Sequence, residues 1–202
     1  MSTSNTDQAS SSSTTSSQTL DQFVSALAAK QPTPGGGAAA AVGAAVGSSA
    51  AQMAAQYTQR KKDVESGAAA KAQALIETLS KDNLLARADD DAKAYADLQS
   101  TWKKDHGLTE EQITQIQATA LMVPTELVVD CHSQIVHIQE FLPHCNPNIT
   151  SDAKVGIHQL AGAARAAYQT VLVNSPPAEH KERLAKLLRE IQDIEAKLLE
   201  LD

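Results

Sequence analysis

Residues 32–55 read PTPGGGAAAAVGAAVGSSAAQMAA, a loop of prolines and glycines that runs into a segment of small side chains. Fifteen of the twenty-one residues from Gly35 to Ala55 are Gly or Ala. The prolines and glycines end the preceding helix, because they remove amide donors and free the backbone. The segment after them predicts a helix that can approach other helices, or a flat ligand, with almost no side chain between.

The composition favours an all-α fold. The chain has 202 residues, of which 42% are hydrophobic and only 3% aromatic, so the core must be built mainly from aliphatic side chains. This length and apolar content suffice to bury a core. Small side chains suit closely packed helices, whereas sandwiches and barrels draw on aromatic and β-branched residues. We therefore expect one helical domain over residues 19–202.

Charge and cysteine content indicate the partners and the compartment. Seventeen Lys and Arg stand against twenty-four Asp and Glu, which argues against nucleic acid as a partner, because phosphate binding needs a dense basic surface. Two cysteines fourteen positions apart form no disulfide framework, so we expect a reducing, cytoplasmic location. Residues 31–59 carry no charge, but they are mostly Gly and Ala, and we expect them to be too weakly apolar to span a membrane.

Residues 1–18 predict a disordered tail. Twelve of these eighteen residues are Ser or Thr, and apart from Met1 none has a large apolar side chain. Such a stretch buries too little surface to offset its ordering entropy. It also lacks the basic start and apolar run of a secretory signal and the arginines of a mitochondrial presequence.

Capping residues and breaks place the first helices. Thr19 and Thr109 each begin a capping box, with a glutamine three residues later. Apolar side chains follow Thr19 at helical spacing and predict one buried face: Leu20, Phe23, Val24 and Leu27. A long helix is expected from the Ser66-Gly67 break to about Trp102, and Pro124 should kink or divide the helix that Thr109 begins.

Two more helices are predicted near the end of the chain. Ser151 is a good N-cap for a helix that reaches Val173. The last helix begins after Ser175-Pro176-Pro177, and its apolar residues alternate at steps of three and four: Leu184, Leu187, Ile191, Ile194, Leu198 and Leu201. That seam predicts packing along a partner helix, either within the chain or across a dimer.

Asp91 is the most informative polar residue. It lies on a stripe, with steps of four and three, whose other members are apolar or aromatic: Leu84, Ala88, Tyr95, Leu98 and Trp102. A carboxylate on that face must be paired or have its pKa raised, and a raised pKa suits a general acid/base near neutral pH. Tyr95 lies one turn on and is placed to hydrogen-bond Asp91 or line a pocket. The alternative is that Asp91 lies at the margin of the stripe, solvated beside Asp89 and Asp90.

Two further segments allow both a binding and a structural interpretation. The run from Pro34 to Gly37 can present backbone amides to an anion or a flat ring at the start of the next helix, or simply form a tight turn. Arg60, Lys61 and Lys62 can hold the carboxylates of an acidic substrate, or complement the C-terminal dipole of the Gly/Ala helix.

A metal site is not expected. His132 and His137 are five residues apart, so on a helix they diverge by about 140°. The sequence has no C-x-x-C pair, no H-x-x-x-H pair and no Gly-x-Ser-x-Gly nucleophile elbow. Neither a metal nor a covalent nucleophile is therefore indicated.

Several motifs together resemble one family. They are Pro32-Thr33-Pro34-Gly35-Gly36-Gly37 with its Gly/Ala helix, Lys61-Lys62, Asp91-Ala92-Lys93-Ala94-Tyr95, Val123-Pro124, and Asn148-Ile149-Thr150-Ser151-Asp152-Ala153. Their order and approximate spacing are similar to the formiminotetrahydrofolate cyclodeaminase / methenyltetrahydrofolate cyclohydrolase family. The likeness extends from about Leu20 to the last helix. Arg60 and the stretch Tyr168-Gln169-Thr170 depart from the family pattern.

The resemblance implies a compact antiparallel helical bundle that forms a homodimer and binds a folate near the subunit interface. It implies that Asp91 is the catalytic acid/base, that Pro34, Gly35, Gly36 and Gly37 border the pterin pocket, and that Tyr95 lines the site. Lys61 and Lys62 would face the glutamate end of the folate. Asn148, Ser151 and Asp152 would shape the site from another loop, and no cofactor besides the folate substrate would be needed.

Two functions follow from these observations. One is a folate enzyme that hydrolyses 5,10-methenyltetrahydrofolate or cyclises 5-formiminotetrahydrofolate. The other is a non-catalytic helical scaffold or folate-binding protein, in which the Ser/Thr tail and the last helix are the working parts. An enzyme needs Asp91 buried beside an open cleft with Lys61 or Lys62 across from it. A scaffold would have Asp91 capped, paired or solvated, with no cavity.

Overall fold

The computed structural model describes residues 14–200 of the chain, and over this range it is all-helical, without a strand. The α-helices there are α1 (Leu20–Ala28), α2 (Gly36–Gln56), α3 (Lys61–Glu65), α4 (Ala68–Thr78), α5 (Lys81–Ser100), α6 (Glu110–Phe141), α7 (Thr150–Val173) and α8 (Ala178–Leu199). Short 3-10 turns span Thr15–Ser17 and Leu142–His144. The all-α prediction is confirmed.

The Gly/Ala helix α2 packs against α4, α5 and α7. It runs antiparallel to α7, since Gly36 at its start faces Thr170, while Gly47 faces Gly156 further back along α7. A Cβ on Gly47 would lie 2.8 Å from the Cβ of Gln159, and a Cβ on Gly156 would lie 2.8 Å from the carbonyl oxygen of Gly47. The two backbones therefore meet at a separation that only glycine permits, as the small side chains of this segment predict.

The remaining long helices complete the core around α2 and α7. α6 packs against α5 and α7, and α8 packs against both α6 and α7. Leu184, Ile191 and Ile194 of the α8 seam are buried in the core of their own chain. The partner of this seam therefore lies within the chain, while Leu201 falls outside the described residues.

Among the helices of residues 14–200, α2 alone is both long and apolar enough to be a candidate membrane span. By length and composition α2 is apolar enough to cross a membrane, with a mean hydropathy of 1.2, so the expectation of too weak an apolar character is not met. In the folded chain, however, 56% of that window is buried by the rest of the protein. Burial of this kind is what the core helix of a bundle shows.

The predicted long helix between residues 67 and 102 is two helices. α4 ends at Thr78 and α5 begins at Lys81, with extended backbone at Leu79 between them. The side chain of Leu79 is buried in the core. Ser80 at the N-cap of α5 and Asp82 in its first turn are local signals of this second helix start.

Three other local predictions are corrected. α6 continues through Pro124, so of the two expected effects, a kink or a division, the division does not occur. Ser151 lies inside α7 instead of capping it, and its hydroxyl donates to the Asp152 carboxylate at 3.2 Å. On α1 only Phe23 is buried, whereas Leu20 and Val24 are exposed.

Both predicted capping boxes are present. The Thr19 hydroxyl accepts from the Gln22 amide and the Gln22 side chain accepts from the Thr19 amide, and Thr109 and Gln112 make the same pair. These motifs need only neighbouring residues, so the sequence predicts them well.

The expected tail is only partly within the described structure. Residues 1–13 lie outside the described residues, so the prediction of disorder there is untested. The last part is placed: Thr15 donates its amide and its hydroxyl to Oδ1 of Asp89 on α5, each at 2.7 Å. The ordered structure therefore begins before residue 19.

Candidate active site

Asp91 lies halfway along α5, against the first turn of α2. The Ala38 amide donates a hydrogen bond to Asp91 Oδ2 at 3.0 Å. Ala38 is in the first turn of α2, where amides have no partner inside the helix, and the N-cap residue Gly35 has no side chain to supply one. The carboxylate thus satisfies an amide at the positive end of the helix.

Gly37 allows the carboxylate to reach this position. A Cβ at Gly37 would lie 1.9 Å from Asp91 Oδ1 and 2.4 Å from the carboxyl carbon. Any side chain there would displace the carboxyl group. The glycine run therefore gives Asp91 a place directly against the backbone of α2.

Two opposed effects act on the pKa of the Asp91 carboxyl. Burial raises the pKa of the Asp91 carboxyl above its ordinary value, although the hydrogen bond from the Ala38 amide acts in the opposite direction. Oδ1 accepts no hydrogen bond from any of residues 14–200. One oxygen is therefore fixed while the other is available to a ligand or a water molecule.

A cleft of about 490 Å³ opens beside Asp91, and we call it the Asp91 cleft. Its volume is in the range of small-molecule sites, about 300–1,000 Å³. The residues that line it come from the glycine loop and from α5, α6 and α7: Pro32, Thr33, Gly35, Gly36, Gly37, Asp91, Ala94, Tyr95, Leu98, Trp102, Ala120, Val123, Pro124, Thr170, Val173 and Asn174. Asp91 is the only ionisable carboxylate among them.

Two aromatic residues form one wall of the cleft. Tyr95 lies one turn after Asp91, and Trp102 lies just beyond the end of α5. Their ring centroids are 6.2 Å apart and the rings meet edge to face, at 82°. Trp102 is 63% exposed, which is unusual for so large an apolar side chain.

Pro124 and Asn174 organise the opposite wall. Because Pro124 has no amide hydrogen, the carbonyl of Ala120 loses its partner within α6. The Asn174 side-chain amide donates to that carbonyl at 3.1 Å and to the carbonyl of Thr170 at 2.9 Å. The proline that was expected to disturb α6 thus creates the acceptor that fastens the end of α7 to it.

The structure brings some of the predicted site residues together. Asp91, Gly35, Gly36, Gly37 and Tyr95 all line the Asp91 cleft. Periodicity points to Asp91 and Tyr95, whereas Trp102 is only a member of the apolar stripe. Thr170 enters the sequence analysis only as part of a stretch that departs from the family pattern.

Pro34 lies just outside this group. It follows a cis peptide bond and lines a neighbouring cleft of about 850 Å³, shared with Thr15, Asp89 and other residues, instead of the Asp91 cleft. Thr33 lines both clefts.

The other predicted residues lie elsewhere in the same chain, and we call them the far-end cluster: Lys61, Lys62, Asn148, Ser151 and Asp152. The lysines follow the C-terminal end of α2, and the other three residues lie at the start of α7. The 21 residues of α2 place its two ends about 30 Å apart. Within one chain the far-end cluster therefore lies at the opposite end of α2 from Asp91.

Asn146 holds the far end together. This buried residue accepts from Arg60 Nη1 at 2.6 Å and donates from its side-chain amide to the carbonyl of Tyr57 at 3.0 Å. Arg60 also pairs with Asp63, at 2.7 Å, and its hydrogen bond lowers the pKa of the Asp63 carboxyl. Arg60 is thus committed to structure, while Lys61 is exposed and lies 3.9 Å from Glu65.

Two further features of the described residues concern metal-ligand clusters and the state of the two cysteines. Over residues 14–200, no group of three or more His, Cys, Asp or Glu side chains is arranged to hold a metal ion. Cys131 and Cys145 are both free and buried, and burial raises the pKa of the Cys131 thiol to about 12.

Comparisons with known proteins agree with the resemblance seen in the sequence. The profile of the formiminotransferase-cyclodeaminase family matches residues 19–193. The fold is similar to the crystal structure of formiminotetrahydrofolate cyclodeaminase from Thermotoga maritima, with a TM-score of 0.77 and 21% identity, over 90% of this chain and 92% of that chain. No curated protein matches the chain.

The two matches carry different information. At 21% identity the structural likeness establishes the fold. The family profile covers well over half of the chain and includes α2, α5 and α7, which build the Asp91 cleft. The chain therefore belongs to the formiminotransferase-cyclodeaminase family.

Proposed function

We propose that this chain is a folate one-carbon enzyme with Asp91 as its general acid/base. It either hydrolyses 5,10-methenyltetrahydrofolate, as a cyclohydrolase, or cyclises 5-formiminotetrahydrofolate with release of ammonia, as a cyclodeaminase. The observation that carries the proposal is the half-buried Asp91 carboxyl, with a raised pKa and one unpartnered oxygen, beside a cleft of about 490 Å³. A raised pKa brings a carboxyl group closer to the range in which a general acid/base works best.

In the cyclohydrolase direction, water attacks the carbon that bridges N5 and N10 of the methenyl cation. Asp91 Oδ1 accepts a proton from that water as the new C–O bond forms. The same group then returns the proton as a C–N bond opens. An ionised Asp91 also stabilises the positive charge of the bound substrate, because the cleft is partly shielded from water.

In the cyclodeaminase direction, N10 attacks the formimino carbon and loses its proton to the Asp91 carboxylate. The protonated carboxyl then transfers a proton to the departing nitrogen, which leaves as ammonia. One carboxyl group serves both steps, so neither a metal nor a cofactor besides the folate takes part in the proposed mechanism. We propose a cytoplasmic setting for this chemistry.

We further propose a homodimer in which a second copy completes the site. The far-end cluster lies about one length of α2 from Asp91 in its own chain. A twofold axis across the middle of α2 would place the C-terminal end of α2 from one copy beside the N-terminal end of α2 from the other. Lys61, Lys62, Asn148, Ser151 and Asp152 would then approach the partner's Asp91 cleft.

The exposed side of α2 suits such a contact, and we call it the α2 face. Its members alternate at steps of three and four, carry no charge, and are exposed or half-buried: Gly36, Ala39, Gly43, Val46, Ala50, Met53 and Tyr57. A Cβ on Gly43 would meet no atom within 4 Å. Small and apolar side chains at these steps allow a second helix to pack closely.

A non-catalytic role is the second candidate, and one observation favours it. Asp91 accepts the Ala38 amide, as a helix-capping carboxylate does. In this alternative the chain is a helical scaffold or a folate-binding protein, and Asp91 caps α2 without taking part in a reaction.

The Asp91→Asn variant separates the two candidates. The asparagine oxygen can still accept from the Ala38 amide, so the fold should persist, but the side chain cannot take up or release a proton in this pH range. We expect turnover to be lost, measured as the decay of 5,10-methenyltetrahydrofolate absorbance beside a control without enzyme. Retained turnover would assign the acid/base to another residue, and a wild type inactive in both reactions would favour the scaffold.

The pH dependence provides a second readout of Asp91. A general base works only when ionised, so kcat/KM should fall as the pH drops through the raised pKa of Asp91. The acid limb is therefore expected above about 3.9, the ordinary value for Asp. A limb at or below that value would mean that the catalytic group is not the buried Asp91.

A further inference from the structure

The Asp91 cleft has an aromatic wall that the acid/base chemistry does not use. Trp102 is 63% exposed and Tyr95 is 37% exposed, and both line the cleft. A tryptophan side chain has about 150–250 Å² of surface that is favourable to bury. An indole left open at the edge of a cleft is therefore well suited to a flat ligand.

The edge-to-face contact fixes this wall in one orientation. The Tyr95 and Trp102 centroids are 6.2 Å apart at 82°, within the geometry that aromatic pairs prefer. Tyr95 is anchored on α5, whereas Trp102 follows the last residue of that helix, Ser100. The tyrosine ring thus braces a tryptophan that lies on a turn.

The cleft has two ends of different character. At the α2 end, Gly35, Gly36 and Gly37 place backbone against the ligand space and leave room for a wide ring system. At the α5 end, the Trp102 ring faces a cleft that is also lined by apolar Val173, which is 79% exposed. Asp91 lies on α5, beside the glycines of α2 and one turn before Tyr95.

This arrangement gives a bound folate a direction. The reactive carbon lies between the pterin and the p-aminobenzoyl ring, and the chemistry places that carbon at Asp91. With the pterin against the glycines, the p-aminobenzoyl ring extends along α5 toward Tyr95 and Trp102. We propose that Trp102, braced by Tyr95, is the stacking surface for the p-aminobenzoyl ring, an inference that rests on the proposed function.

Variants of the aromatic wall test its role through binding. Trp102→Ala should raise KM about tenfold or more, the scale of a lost aromatic stacking contact, while kcat changes little. Trp102→Phe should restore most of the affinity, because a flat ring remains. Leu199→Ala, at an exposed apolar residue on α8, is the matched control and should leave KM unchanged. A fall in kcat with unchanged KM in Trp102→Ala would overturn the inference.

Trp102 is the only tryptophan in the chain, so its fluorescence reports on this wall alone. Titration of the inactive Asp91→Asn variant with 5-formyltetrahydrofolate, excited near the red edge of indole absorption, should quench the emission. Calorimetry on the same samples measures binding independently. Binding without a change in emission would overturn the inference alone, whereas absence of binding would overturn it together with the proposed function.

Fragments identify the ring that contacts Trp102. p-Aminobenzoylglutamate should quench Trp102 emission, and a tetrahydropterin without that ring should not. Quenching by the tetrahydropterin alone would reverse the orientation of the folate and overturn the assignment. Because these titrations need no turnover, their result does not depend on which of the two reactions the enzyme performs.

Discussion

At the scale of single residues, Asp91 shows how a carboxyl group can be held at one oxygen while the other stays open to a cleft. Its Oδ2 accepts the Ala38 amide, while burial raises the pKa of the group and Oδ1 stays unpartnered. The capping contact explains why the fold tolerates a carboxylate on an apolar stripe. The carboxyl group also lines an open cleft, which a purely structural cap does not require.

Gly37 tests the position of that carboxyl group. In Gly37→Ala the new Cβ would lie 1.9 Å from Asp91 Oδ1, so the carboxyl group must move. A displacement of about 1 Å in an active site costs on the order of 100-fold in rate. We expect kcat/KM to fall by about that factor, measured with 5,10-methenyltetrahydrofolate.

The control for this substitution is Gly162→Ala on α7. A Cβ there meets no atom within 4 Å, so it adds the same methyl group to a helix without touching the site. Its kcat/KM should equal that of the wild type. An active Gly37→Ala variant would show that turnover does not depend on the observed position of Asp91.

At the scale of helices, local sequence predicts what local contacts determine. The capping boxes at Thr19 and Thr109 involve residues three apart, and both are present. The break at Leu79 lies where the core buries that leucine, and its local signals are only Ser80 at the N-cap of α5 and Asp82 in its first turn. Local sequence also does not show how α6 accommodates Pro124, because the compensating hydrogen bond comes from Asn174, fifty positions later in the chain.

That compensation predicts a coupling between α6 and α7. Asn174→Ala removes the donor to the buried Ala120 carbonyl, and an unsatisfied buried acceptor costs about 1–3 kcal/mol in the free energy of unfolding. Pro124→Ala supplies an amide hydrogen within α6 that can bond the same carbonyl. In that background the loss of Asn174 should therefore cost less.

Urea unfolding of the wild type, the two single variants and the double variant measures this coupling. We expect the cost of Asn174→Ala to be clearly smaller when residue 124 is alanine. Equal costs in both backgrounds would mean that the Asn174 side chain contributes through the Thr170 carbonyl or through packing, and not through the acceptor that proline leaves open.

At the scale of the whole molecule, the sequence predicts the fold class, and the predicted site residues fall into two groups at opposite ends of α2. Periodicity along α5 identified Asp91 and Tyr95, and the glycine run falls beside them because α2 begins there. The far-end cluster is assigned to the site by the family resemblance alone, and its part in the site stays a prediction. The 21 residues of α2 are themselves readable from the sequence, and their length already separates Gly36 from Lys61 by about 30 Å.

The separation of the two halves leads to a test of the proposed dimer. If each site takes Asp91 from one copy and the lysines from the other, two defective variants can complement each other. Asp91→Asn lacks the acid/base, and Lys61→Ala/Lys62→Ala lacks the cations, so each homodimer should turn over poorly. A heterodimer contains one site with both defects and one site with neither.

Random exchange in an equimolar mixture makes half of the dimers mixed, so about a quarter of the wild-type activity should return. Native mass spectrometry shows whether mixed dimers have formed, and the same proteins assayed before exchange provide the baseline. Mixed dimers without recovered activity would mean that the far-end cluster does not serve the Asp91 cleft.

A charge placed on the α2 face, as in Val46→Glu, should prevent both dimerisation and recovery of activity, because a buried unpaired carboxylate is costly at such a contact. Since Val46 is exposed in the single chain, this substitution should leave the fold of the monomer intact.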